Sequence, residues 1–200
     1  MDDYYVLGMT LGHNATAALT HEGRVIACAS EERFARVKNI YGYPEKAVKY
    51  CLQQAGITSA ELSLIVLSSH ITPPLKQTGD GLREESPDDE GSVSWFSLLS
   101  KIRGTIGTIK SLETAGYRSV APLLAKMTHK KRVDIISSLL GVQKEKISSS
   151  EHHLTHAFSA IFSSPYFHHE ENMLAITVDG EGDMLSSSVG SFDPGTMYYH

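Results

Sequence analysis

Apolar residues at the start of the chain are gathered into short runs, and the runs set the expected elements. Tyr4 to Leu11 is apolar and β-rich, Ala15 to Thr20 is small and apolar, and "RVIACA", Arg24 to Ala29, follows the turn "HEG". Runs of this length predict strands, and connections this short predict an antiparallel meander. The period then lengthens. In "PEKAVKYCLQQAG", Pro44 suits the first helical position and Gly56 the stop, while Val48, Cys51, Leu52 and Ala55 fall on one helical face. "ELSLIVLSS" returns to strand length and is apolar enough for a buried sheet position, so the predicted order is β-β-β-α-β.

From Thr72 to Ser92 the pattern is lost. Three prolines, three glycines and six acids against two bases predict a mobile loop or insertion, because such a segment buries little apolar surface. Helical spacing resumes around Ala121 to Met127 and Val133 to Leu140, with Gly141 as a stop. "SEHHLTHAFSAIFSSP", residues 150 to 165, predicts a further helix with Ser150 as its N-cap. A strand from Met173 to Val178, an acidic-glycine turn and a second strand through Ser187 to Phe192 follow. This hairpin shares its pattern with "YVLGMTLGHNATAALTHEG", a weak internal repeat offset by roughly 170 residues. The repeat predicts a first lobe over 1–170 and the opening strands of a second over 171–200. The closing "MYYH" has no tail character, so a longer protein is expected.

Composition narrows the class. Two hundred residues, 41% hydrophobic and 20% charged, describe a globular chain, and a net charge of −5 with no basic stripe gives no reason to expect a nucleic acid or membrane partner. The acidic start "MDDYYVLG" matches no signal peptide, and no run approaches the roughly 18–20 apolar residues that span a bilayer. Cys28 and Cys51 are the two cysteines and are far apart in sequence, which fits a reducing cytoplasm.

Candidate chemistry centres on the histidines. His152 and His156, four apart, project from one helical face and can converge on one ion, whereas His153 lies about 100° away. The same residues also fit the solvated first turns of an ordinary helix. A metal reading needs a carboxylate from elsewhere; Asp179, at the end of an apolar strand, is the candidate, with Gly180 and Gly182 allowing the backbone to approach a phosphate. "DGEGD" fits a plain hairpin turn as well, with Glu181 and Asp183 solvated. In "GHNAT", Gly12 permits a tight backbone and His13, Asn14 and Thr16 offer polar groups to an anionic or carbonyl ligand, although the stretch taken alone reads better as a plain polar turn. Arg33, Arg36 and Lys38 suit either phosphate or a solvated surface, and His168 and His169 read as loop residues.

Taken in order, "GHNATAAL", "GRVIACASEERFARVKN", "SSSEHHLTHAFSAIFSSP" and "ITVDGEGD" resemble the N-terminal part of the carbamoyltransferases that include nodulation and antibiotic-tailoring enzymes. The resemblance covers most of the chain outside residues 72 to 145. It implies an α/β, ribonuclease-H-like fold related to actin, sugar kinases and heat-shock chaperone ATPases, with two duplicated lobes, similar to the tRNA threonylcarbamoyl-transfer protein. It implies ATP and carbamoyl phosphate as substrates, a carbamoyl-adenylate intermediate, and a small-molecule hydroxyl as acceptor. His152, His156 and Asp179 would bind a divalent metal, often iron, while His13 and Lys38 would line the carbamoyl or phosphate pocket. The family often carries Asp where this chain has Asn14, which weakens a metal role there. The rest of the site would come from a C-terminal part of the same enzyme, so these residues alone are expected to be inactive. A sugar-kinase-like phosphotransferase and a non-catalytic nucleotide-binding module are the alternatives.

Overall fold

Side chains two apart share one face of a strand, and the first three strands use that rule to cover a common core. The computed structural model describes residues 4–70, 75–78, 81–84, 126, 129–167, 171–183 and 185–199. Strand β1 (Tyr5–Thr10) buries Leu7 and Met9, β2 (Thr16–His21) buries Ala17 and Leu19, and β3 (Arg24–Ser30) buries Ala27. They pair as the predicted antiparallel meander.

A short helix, α1 (Glu32–Ala35), and then α2 (Glu45–Ala55) carry the chain across to β4 (Leu62–Leu67), which lies parallel to β1. Helix α2 buries Ala47, Val48 and Cys51 and packs on β2 and β3. Pro44 sits one position before the expected site, as N-cap residue, and has no side-chain group with which to cap. That work is done from a distance. The buried Glu31 carboxylate accepts the Ala47 amide at 2.8 Å, satisfying one of the amides that a helix start leaves unpaired. Gly56, at φ 68, ends the helix as expected.

Strands β5 (Leu75–Thr78) and β6 (Gly81–Glu84) form an antiparallel pair inside the segment read as a loop over 72–92, and the rest of that segment lies outside the described residues. The helix expected at Ala121 to Met127 also lies outside them, apart from Lys126, which is helical. Residues 129–140 form α3, buried through Arg132 and Ile136 and closed by Gly141 at φ 66. With β7 (Ile147–Ser149), a five-stranded mixed sheet of order β3-β2-β1-β4-β7 is complete. Burying one Leu or Ile side chain is worth about 1.5–3 kcal/mol. Leu7, Leu19, Leu62, Ile65 and Ile136 are all at 0% exposure, so this core fixes the sheet.

The chain divides into two compact units, Met1–Leu67 with Thr72–Ser148, and Ser68–Ile71 with Ser149–His200. In the second, α4 (His152–Ser163) packs on β8 (Met173–Gly182) and β9 (Leu185–Asp193), with β10 (Tyr198–Tyr199) completing a sheet of order β10-β9-β8. Ala157, Ile161, Ala175 and Phe192 are buried between helix and sheet, with Phe158, Phe167, Met173 and Tyr199 against them.

Two expectations are corrected here. The hairpin does not turn at residues 179–182: β8 runs on to Gly182, which pairs with Leu185, after an irregular register between Val178 and Gly182. Asp179 therefore stands within the irregular part of a strand, and the turn falls at Asp183, at φ 47. Ser150 is not the N-cap of α4 either. Glu151 holds that position, and its two carboxylate oxygens accept the His153 and Leu154 amides at 3.0 and 2.6 Å. A carboxylate reaches two amides at once and also opposes the helix dipole, which a single serine hydroxyl cannot do. Among the described residues, no helix is long and apolar enough to cross a membrane.

Candidate metal centre

Three of the expected site residues meet in the second unit. His152 and His156 stand one helical turn apart on α4, and Asp179 reaches them from β8. His152 Nε2 lies 2.8 Å from Asp179 Oδ2, His156 Nε2 lies 3.0 Å from His152 Nε2, and His156 Nε2 lies 3.5 Å from the same Asp179 oxygen. Each imidazole nitrogen carries at most one proton, so these three contacts cannot all be good hydrogen bonds. A cation satisfies them together. Ligand atoms about 2.1 Å from one ion stand about 3.0 Å apart at right angles and about 3.4 Å apart in a tetrahedron. The three observed separations bracket those values. The residues present therefore fit a single divalent ion held by two imidazoles and a carboxylate.

The electrostatics agree with that use. The hydrogen bond to His152, followed by the Gly180 amide donating to Oδ1 at 2.6 Å, holds the Asp179 carboxyl below the usual carboxylate range. It is an anion when a cation arrives. His156 is 54% exposed and Asp179 38%, which leaves open positions for a substrate oxygen or water on the solvent side. An open groove of about 650 Å³ runs beside His156, between α4 and the length of β8 from Met173 to Val178.

His153 takes no part, as its helical position predicts. It is fully buried, with Nε2 3.0 Å from the Leu185 carbonyl and Nδ1 2.7 Å from the Thr177 hydroxyl. A carbonyl only accepts, so Nε2 carries a proton, and Nδ1 shares a hydrogen bond with the threonine hydroxyl. Thr177 in turn accepts from the Ser188 amide at 3.2 Å. This chain of bonds pins α4 to both strands of the hairpin.

Asp183 was read from sequence as a solvated turn residue, and that reading is corrected. Its carboxylate accepts the His152 amide at 2.7 Å, the His70 amide at 2.9 Å and the Ser69 hydroxyl at 2.6 Å. Gly182 lies beneath the His152 ring, where a Cβ would collide with the imidazole, whereas a Cβ on Gly180 would meet open space. Glu151 and Asp183 are the residues that sequence reasoning missed. A carboxylate at the boundary before a helical run is a legible cap signal for Glu151; Asp183 has no comparable local signal.

The remaining candidates belong to the first unit. Asn14 takes up φ 60, and the Thr16 hydroxyl donates to its carbonyl at 2.7 Å, so the "GHNAT" turn is closed by its own residues. Gly12 has ordinary φ and open space where a Cβ would stand. The exposed His13 ring tilts against Tyr41, with centroids 6.0 Å apart. Lys38 forms an ion pair with Glu32 at 3.2 Å, and Arg36 closes α1 at φ 55.

Fold and cluster together describe a mixed α/β protein with a candidate two-histidine, one-carboxylate metal centre. The chain belongs to the carbamoyltransferase family, matching the family's carbamoyltransferase N-terminus over residues 5–200. It is 27% identical over 186 residues to the nodulation protein NolNO of Sinorhizobium fredii, covering 91% of this chain and 22% of that protein. An uncharacterized protein of Synechocystis sp., sll1178, is 26% identical over 188 residues, 94% of this chain and 27% of the relative. A third, MJ1051 of Methanocaldococcus jannaschii, is 45% identical over 49 residues, 24% of this chain and 10% of that protein. The chain thus spans about a quarter of the length of the first two.

Proposed function

We propose that the chain is the N-terminal part of an ATP-dependent O-carbamoyltransferase, which forms carbamoyl-adenylate from carbamoyl phosphate and ATP and passes the carbamoyl group to a small-molecule hydroxyl. The observation that carries this reading is the convergence of His152, His156 and Asp179 within a chain that matches the carbamoyltransferase N-terminus almost end to end. Iron is the expected ion, in keeping with a two-histidine, one-carboxylate donor set. When bound, such a cation supplies positive charge to phosphate or carbamoyl oxygens. The chain's own part is to present two imidazoles from one helical face and one anionic carboxylate from the strand beside it, with solvent-facing positions left open.

The sheet order β3-β2-β1-β4-β7, with a meander beside a parallel pair, supports a ribonuclease-H-like first lobe, whose strands end at Ser149. The hairpin that follows supports the start of a second lobe. In this proposal His13 and Lys38, with main chain at Gly12 and Asn14, line a carbamoyl or phosphate pocket in the first unit; in the second, Gly180 leaves main chain open to an anion beside Asp179, while Gly182 is covered by the His152 ring. The C-terminal part of the same protein completes the site. A sugar-kinase-like phosphotransferase is less well supported, because Mg²⁺ chemistry calls for oxygen ligands rather than an imidazole pair.

The test is incubation of the metal-loaded, full-length protein with ATP and carbamoyl phosphate. Carbamoyl-adenylate is expected in the wild type and is lost in His152→Ala. Phosphotransfer that survives His152→Ala would turn the assignment towards the kinase-like alternative.

A further inference from the structure

We infer that Asp183 is a positioning residue for the metal centre, holding the main chain of His152 so that its ring reaches the ligand position. The inference rests on reading His152, His156 and Asp179 as the metal ligands. Three donors converge on the Asp183 carboxylate, the His152 amide, the His70 amide and the Ser69 hydroxyl, from residues 31, 113 and 114 positions away in sequence. Hydrogen bonds to an ionised acceptor are the strong ones, and three on one carboxylate fix its place.

The His152 amide is the first of α4 and has no partner inside the helix. Anchoring it fixes where the helix begins. Only two side-chain torsions separate that main chain from the imidazole, so a shift in the helix start passes directly to Nε2 and, one turn on, to His156. One stretch of hairpin therefore supplies three things: the carboxylate ligand at Asp179, the flat seat for the His152 ring at Gly182, and the anchor at Asp183. The left-handed backbone at Asp183, φ 47, is one that Asp and Asn tolerate better than most side chains.

That tolerance makes Asp183→Asn the informative variant. It keeps size and backbone preference, removes the charge, and turns an NH₂ group towards donors. Full-length wild type, Asp183→Asn, Ser69→Ala and His152→Ala are titrated with Co²⁺, reading affinity and the visible d–d spectrum, with the thermal midpoint taken alongside. Asp183→Asn is expected to bind Co²⁺ about 10–100-fold more weakly, the range for residues that orient metal ligands, and to show an altered spectrum at saturation. Unchanged affinity and spectrum in Asp183→Asn, with binding lost in His152→Ala, overturns the positioning role and leaves the metal centre standing. Unchanged binding in His152→Ala overturns the metal centre itself, and this inference with it. Should Asp183→Asn not fold, Ser69→Ala decides. A loss of about two- to fivefold, the worth of one hydrogen bond, supports the role and no loss overturns it.

Discussion

The imidazole of His152 lies against Gly182 so closely that a Cβ on that residue would clash with the ring. Glycine is required there by the space the ring fills. Gly182→Ala is expected to displace the ring or the strand, lowering stability by about 1–3 kcal/mol, the usual cost of overpacking, and weakening Co²⁺ binding. Gly180→Ala meets open space and should do far less to either. Urea denaturation and a Co²⁺ titration on the two variants make the comparison; equal effects would refute it.

Neighbouring histidines on α4 should separate stability from binding. His153→Ala strands the Leu185 carbonyl and leaves a cavity, and about 2–4 kcal/mol of stability should be lost. His156→Ala, at a half-exposed position, should change stability by no more than about 0.5 kcal/mol and yet remove a proposed metal ligand. Denaturation midpoints and bound metal, measured on the same samples, should move in opposite order for the two.

The cysteines give a pH prediction. Burial, with Cys28 adding to it, pushes the Cys51 thiol up to about 11, above the value of about 8.5 expected in an unfolded chain. Between those values the folded state keeps a proton that the unfolded state has released. The contribution to stability is whole below about pH 8.5 and is lost as pH rises towards 11. Tyr43, raised by burial in the same way, adds to the fall. Urea midpoints should drop across that alkaline range, and at pH 8 a thiol reagent should label the exposed Cys28 in the native protein and both cysteines after unfolding. Rapid native labelling of Cys51 would contradict this.

Glu31 caps a helix from outside it. Glu31→Gln keeps an acceptor but loses the charge facing the start of α2, and Glu31→Ala leaves the Ala47 amide unpaired. Losses of about 1–2 kcal/mol are expected for Ala and less for Gln, read as shifts in the urea midpoint.

What could be read from the sequence divides along a physical line. The meander, α2 with its Gly56 stop, β4 and the His152–His156 pair were legible because each is specified by residues within a turn or two of itself. Asp183 was misread because its partners lie 31 or more positions away, and nothing beside it in sequence distinguishes it from a solvated turn. The extension of β8 to Gly182 was missed for a related reason. Two glycines and acidic residues carry the local signature of a turn, and only the pairing of Gly182 with Leu185 overrides it. Glu151 was overlooked because serine is the commoner cap, although its carboxylate does more at that helix start.

The amides at the start of α4 are already answered by Glu151 and Asp183, and this changes what an anion would meet at that corner. The second unit contains Glu151, Glu170, Glu171, Asp179, Glu181, Asp183 and Asp193, and neither Lys nor Arg. Helix-end attraction has been used up internally, and the carboxylates of Glu151, Asp179 and Asp183 at that corner repel phosphate. A divalent ion between His152, His156 and Asp179 would offset much of that negative charge, so in the proposed enzyme loading the metal would govern how often an anionic substrate arrives as well as how it is held.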